Sequence, residues 1–136
     1  MGRILGIDYG VKRTGIATTD PLQIIVNGLA TVETSQLESF LKDYFAGEDV
    51  EKIVIGQSFH ADGNLTEHEI KITVLIDFLK KEFPKISIDR QDESFTSQMA
   101  KGILLAGGVP KMKRRDKNQV DKLSAVLILQ QYLGHI

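Results

Sequence analysis

Three acidic residues in this chain stand where a carboxylate needs a reason. Asp8 ends the apolar run Ile4-Leu5-Gly6-Ile7, Glu93 lies in Arg90-Gln91-Asp92-Glu93-Ser94, and Asp121 opens the stretch that runs through Ile128 and Leu129 to Tyr132. Each alone has an ordinary explanation: Asp8 starts a turn with Gly10, Glu93 is a solvated residue before a helix, and Asp121 favours the positive end of a helix capped by Asn118. Together they point further. Asp121 shares a helical face with Ser124, Ala125 and Ile128, at offsets of three, four and seven, so that face is small, apolar and suited to lie against a sheet. If the helix crosses the strand ending at Asp8, two carboxylates meet away from water, and one takes up a proton unless a cation offsets the repulsion. A hard divalent ion such as Mg²⁺ binds oxygen ligands and keeps waters for chemistry. Glu93 would complete a three-carboxylate set. Asp92 is the competing acid, since neighbours on an extended segment face opposite ways and spacing does not choose between them.

The basic residues are as unevenly placed. Lys111, Lys113, Arg114, Arg115 and Lys117 put five positive charges within seven residues directly before the acidic helix, and Lys12 and Arg13 follow Asp8 in the next turn. As isolated features these are solvated loops. Beside a metal site they acquire a use, positioning phosphates while the carboxylates hold the metal. No aromatic residue interleaves the basic run, so contacts to a nucleic-acid backbone with modest sequence preference are expected, rather than base stacking. His60 and His68 lie in the polar stretch 56–69, eight residues apart and without a matching carboxylate pattern; they read as surface residues and carry no assignment.

These groups need elements to hold them. Residues 3–9 are apolar almost without alternation, as in a strand buried on both faces, and Gly10 ends it. Residues 14–19 and 24–32 read as two further strands joined by short turns, so the first three strands are expected to meander as antiparallel neighbours. From Ser35 the period turns helical through Leu37, Phe40, Leu41, Tyr44 and Phe45, with Ser35 and Glu38 as a capping box and Gly47 as the stop. Residues 52–56 form a short apolar strand. A second helix follows, with Thr66 and Glu69 as its cap, Ile72, Leu75, Ile76, Leu79 and Phe83 as its buried stripe, and Pro84 as its end. Residues 86–89 read as a strand, and 96–106 and 118–133 as helices. Three strands followed by alternating helices and strands predict an α/β fold, a mixed central sheet with helices on both faces.

Composition sets the limits. With 136 residues and 42% hydrophobic content, the sequence suits a single domain spanning residues 1–136. The absence of cysteine excludes disulfides and thiolate metal sites, leaving oxygen ligands or His60, His68 and His135. Met1-Gly2-Arg3 does not begin a signal peptide, and no apolar run approaches the roughly 18 residues of a membrane span, so a cytoplasmic location with no membrane partner is expected. Residues 1–98 carry 10 basic against 16 acidic residues and residues 99–136 carry 7 against 2. The net charge of -1 therefore conceals a basic C-terminal part able to meet a polyanion.

Read in order, ILGIDYGVKRTGIA, VIGQSFHADG, DESFTS and KRRDKNQVDKLSAVLILQQYL resemble the YqgF family across nearly the whole chain. Its members are named pre-16S ribosomal RNA nucleases and formerly Holliday junction resolvases. The resemblance implies a ribonuclease-H-like fold, catalytic and metal-binding acids at Asp8, Glu93 and Asp121, and Mg²⁺ or Mn²⁺ as cofactor. It also decides for Glu93 over Asp92. The middle motifs depart from the family: Gly56-Gln57-Ser58 stands for Gly-Leu-Pro, His60-Ala61-Asp62-Gly63 for Asn/Gln-Met-Asp/Asn-Gly, and Asp92-Glu93-Ser94 for Asp-Glu-Arg. No role of that arginine carries over. The implied activity is a metal-dependent endonuclease acting on precursor 16S ribosomal RNA. The alternatives are a resolvase acting on branched DNA, a nucleic-acid-binding or ribosome-assembly factor without catalysis, and, least favoured, a fragment of an actin-like ATPase or kinase, whose first phosphate loop also reads Asp-x-Gly. The last needs two such domains around ATP. The sequence is compatible with a monomer or a homodimer.

Overall fold

The computed structural model describes residues 2–57, 67–92 and 117–136, and of residues 67, 68 and 117–121 the backbone alone. Its strands are β1 (Arg3–Asp8), β2 (Arg13–Thr19), β3 (Val26–Glu33), β4 (Val50–Gln57) and β5 (Ser87–Asp92). They form one sheet in the order β3-β2-β1-β4-β5. β1 and β2 pair antiparallel, as do β2 and β3, whereas β4 runs parallel to β1 and β5 parallel to β4. The mixed sheet with an antiparallel front is thus the one expected. Ile4, Leu5 and Ile7 are all buried because β1 has a neighbour on each side and helices above and below.

The helices are α1 (Leu37–Gly47), α2 (Glu67–Glu82) and α3 (Lys117–Tyr132). On one face of the sheet, Leu5, Ile7, Ile16, Ile53 and Ile55 pack with Leu37 and Leu41 of α1 and with Ile72, Leu75 and Leu79 of α2. On the other face, Ile4, Ala17 and Val54 pack with Ala125, Ile128 and Leu129 of α3. Each large aliphatic side chain buried in these layers contributes about 1.5–3 kcal/mol. No helix among the described residues is long and apolar enough to cross a membrane.

Several local expectations are corrected. The chain enters α1 through a 3-10 turn (Thr34–Gln36), so Ser35 lies within that turn, and no side chain caps the helix at Gln36. Ile24 and Ile25 lie outside β3. Their amides donate to Asp20 Oδ1 at 2.7 and 2.8 Å, and Gln23 adopts φ 62°, so a tight turn takes both before the strand begins. Those donors, Ile25 first, hold the Asp20 carboxyl below its ordinary range. β5 runs on to Asp92, carried by its pairing with β4 as far as Gln57. α3 begins at Lys117, which leaves Asn118 inside the helix and Asp121 beyond its first turn. Glu69 turns inward and is 4% exposed. Thr66 and the helix expected over 96–106 lie outside the described residues.

Candidate active site at the carboxyl edge of the sheet

The parallel strands β1, β4 and β5 end at one edge of the sheet, at Asp8, Gln57 and Asp92. Ligands of open α/β sheets settle beyond such carboxyl ends. On β1, Leu5 and Ile7 belong to the α1/α2 layer and Ile4 to the α3 layer. Gly6 also faces α3, since a Cβ there would lie 2.5 Å from Leu129 Cγ and 3.2 Å from the Ala125 carbonyl. Strand alternation therefore turns the half-buried Asp8 toward the α3 face. Its partner on β2 is Gly15, and the next residue after the Ile7–Ile55 pair on β4 is Gly56. The positions directly beside Asp8 on both neighbouring strands are therefore glycines.

α3 lies across β1, β2 and β3 with Ser124, Ala125 and Ile128 fully buried, so the small face read from the sequence is the inward one. Asp121 occupies the helix three and four residues before Ser124 and Ala125. The Ser124 hydroxyl is buried without a hydrogen-bond partner among the described residues. An orphan of that kind costs about 1–3 kcal/mol and calls for a polar guest.

Asp92 is placed differently. Arg90, two residues earlier on β5, faces α2: its Nη2 donates to both carboxylate oxygens of Glu69 at 2.7 and 2.9 Å and to the Gly56 carbonyl at 2.8 Å, and its Nε donates to the Ile55 carbonyl at 3.1 Å. By the same alternation Asp92 falls on the α2 face, away from Asp8. Lys12 and Arg13 are exposed on the turn that follows Asp8. Within that turn, burial pushes the Tyr9 phenol above its ordinary value.

Of the remaining residues singled out in the sequence, Glu93, Lys111, Lys113, Arg114, Arg115 and His60 lie outside the described residues, and Lys117, His68 and Asp121 are described in their backbone alone. Among the described residues no three acids or histidines gather as a metal site; the set read from the sequence needs Glu93 and the Asp121 side chain. What is described suits a hard hydrated cation: an oxygen donor at Asp8, glycine opposite it on either side, and a buried hydroxyl, unpartnered among the described residues, on the helix that covers this face.

Sequence reasoning missed two devices here. One is the Arg90–Glu69 clamp, which ties the start of α2 to the ends of β4 and β5. Its signal was present, since Glu69 falls on the apolar stripe of α2 three residues before Ile72, where an acid needs a buried partner. The other is Thr34, whose hydroxyl donates to the Gly10 carbonyl at 2.6 Å and whose amide donates to the Lys12 carbonyl at 2.9 Å.

The fold is similar to that of RuvC from Thermus thermophilus, in complex with a Holliday junction substrate (TM-score 0.55, 14% identity, covering 98% of this chain and 97% of that one) and in a second structure (TM-score 0.53, 97% and 96%). Curated relatives are closer in sequence. One from Porphyromonas gingivalis is 51% identical over 135 residues, 99% of this chain and 98% of the relative. One from Christiangramia forsetii is 46% identical over 133 residues, 98% of each. Both are named, provisionally, pre-16S rRNA nuclease. The pattern matching residues 2–135 is that of the family described as RuvX: Holliday junction resolvase, and the chain belongs to that family.

Proposed function

We propose that the chain is a metal-dependent endonuclease that hydrolyses nucleic-acid phosphodiesters at the 5′ end of precursor 16S ribosomal RNA. The observation that carries this reading is Asp8, half-buried at the carboxyl end of the central strand, flanked by Gly15 and Gly56 and facing α3. The provisional name of its near-full-length relatives supplies the substrate. Asp8, Glu93 and Asp121 would hold Mg²⁺ or Mn²⁺. The alternation that turns Asp92 to the α2 face supports Glu93 as the second acid. When bound, the metal supplies an activated water and offsets charge at the phosphorus and the leaving oxygen. The chain's own part is to aim Asp8 from a rigid strand, with glycine at the position beside it on each neighbouring strand, and to offer Lys12, Arg13 and the basic run 111–117 to the flanking phosphates. Such a substrate implies a cytoplasmic location, and a single active site suffices for it.

A second reading follows from the family description and from the junction-bound RuvC whose fold this chain shares: cleavage of branched DNA, in which paired cuts require a homodimer. One experiment separates these. A precursor 16S RNA fragment, a single-stranded DNA and a four-way DNA junction are incubated with Mg²⁺ or Mn²⁺ and either the wild type or Asp8→Asn. Cleavage of the RNA by the wild type alone supports the proposal, and preference for the junction supports the second reading. Equal products from both proteins would sink the three-carboxylate site, and tight binding without products would mark a factor without catalysis.

A further inference from the structure

Thr34 stands where β3 leaves the sheet, one residue past the Arg13–Glu33 pair. Beyond its bonds to the Gly10 and Lys12 carbonyls, its hydroxyl lies 2.9 Å from that of Thr14, a fully buried residue of β2. One residue thus holds two alternate carbonyls of the turn between Asp8 and Arg13 and is itself anchored in the core. The turn is tight: a Cβ on Gly10 would sit 2.2 Å from the Arg13 carbonyl oxygen. Val11, Lys12 and Arg13 are nevertheless exposed. A fixed backbone carrying exposed basic side chains is a pre-organised way to meet a phosphate, because the ordering cost of the main chain is already met in the free protein.

We infer that Thr34 is a positioning residue for the nucleic-acid contact, holding the β1–β2 turn so that Lys12 and Arg13 meet backbone phosphates at a fixed offset from Asp8. This rests on the reading of Lys12 and Arg13 as phosphate contacts. The hydroxyl is the part that can be removed alone, since Thr34→Val keeps the amide bond to Lys12 and the β3 ladder while deleting the bonds to Gly10 and Thr14.

The test is binding of a fluorescein-labelled precursor 16S RNA fragment to the full chain across about 50 to 200 mM salt, with Ca²⁺ replacing Mg²⁺ to prevent cutting and thermal melts recorded in parallel. Thr34→Val is expected to weaken binding about 3- to 10-fold, the scale of one hydrogen bond. It should also flatten the dependence of log Kd on log salt by about 1, the signature of a lost phosphate contact. Thr34→Ser restores both. In the Lys12→Ala/Arg13→Ala background, Thr34→Val adds nothing, because the residues it acts through are gone. If the valine variant fails to fold, Thr34→Ala makes the same deletion with less bulk. An additive loss in the double-alanine background overturns the inference, as does an unchanged salt slope in Thr34→Val when Lys12→Ala/Arg13→Ala itself weakens binding. No effect from Lys12→Ala/Arg13→Ala overturns the phosphate reading and the role of Thr34 with it.

Discussion

Asp8 and Asp92 end strands that run the same way at the same edge of the sheet, yet they stand on opposite faces of it, Asp8 toward α3 and Asp92 toward α2. The two acids are therefore expected to differ in function. Asp8→Asn is expected to lower cleavage about 100-fold or more, the scale of removing one charged stabiliser from an active site. Asp92→Asn should stay within about 3-fold of wild type, a difference below 1 kcal/mol in barrier. Initial rates on one RNA substrate at saturating Mg²⁺ decide the matter.

Gly10 is fixed by its surroundings. The atom that an added Cβ would strike is a main-chain oxygen at 2.2 Å, which no side-chain rearrangement can move. Gly10→Ala should cost about 1–3 kcal/mol, as overpacking does elsewhere. Chemical denaturation should show a lower midpoint with an unchanged slope.

The clamp between Arg90 and Glu69 joins an acid 5% exposed to a guanidinium 25% exposed. Removing one partner leaves the other charge stranded. Arg90→Ala is expected to destabilise by about 3 kcal/mol, whereas the paired change Glu69→Leu/Arg90→Met should recover much of that loss. A double-mutant cycle by urea denaturation measures the coupling, and additive single losses would refute it.

Tyr132 joins α3 to two strands. Its hydroxyl donates to Asp89 Oδ2 at 2.6 Å and accepts from Lys52 Nζ at 2.8 Å. The phenol holds the Asp89 carboxyl below its ordinary range and raises the Lys52 ammonium above its own. For Asp89, the stability gained is present above the unfolded carboxyl value and lost as pH falls through the folded one. For Lys52, it is present below the unfolded ammonium value and lost as pH rises through the folded one. Tyr132→Phe should therefore lower stability at neutral pH by about 1 kcal/mol and flatten both the acid and the alkaline limbs of a melting profile. An unchanged profile would show the relay to be inert.

The place of Asp8 at the end of the buried central strand was legible from the apolar run before it, and the small inward face of α3 was legible from helical period alone. Thr34 was not, since its part depends on β3 leaving the sheet beside a turn some twenty residues earlier, which is a matter of register rather than pattern. Ile24 and Ile25 read as strand residues because they are apolar. The Asp20 carboxylate captures their amides first, and local hydrogen bonding overrides hydrophobicity there. Glu69 satisfied the capping-box pattern, which gave no sign of the half-buried Arg90 guanidinium that its carboxylate holds. Spacing could not choose between Asp92 and Glu93, and the resemblance took Glu93; the faces of β5, on which Arg90 puts Asp92 toward α2, were not visible in the sequence.

The two faces of the sheet also differ in when they can be built. Among the described residues, the layer holding α1 and α2 draws on elements up to β5, whereas the face bearing Asp8 is covered by α3, which follows them in the chain. A chain emerging amino end first can complete its scaffold while that acid still faces water. If Asp8 is catalytic, hydrolytic power would then come after the scaffold, arriving only when α3 docks.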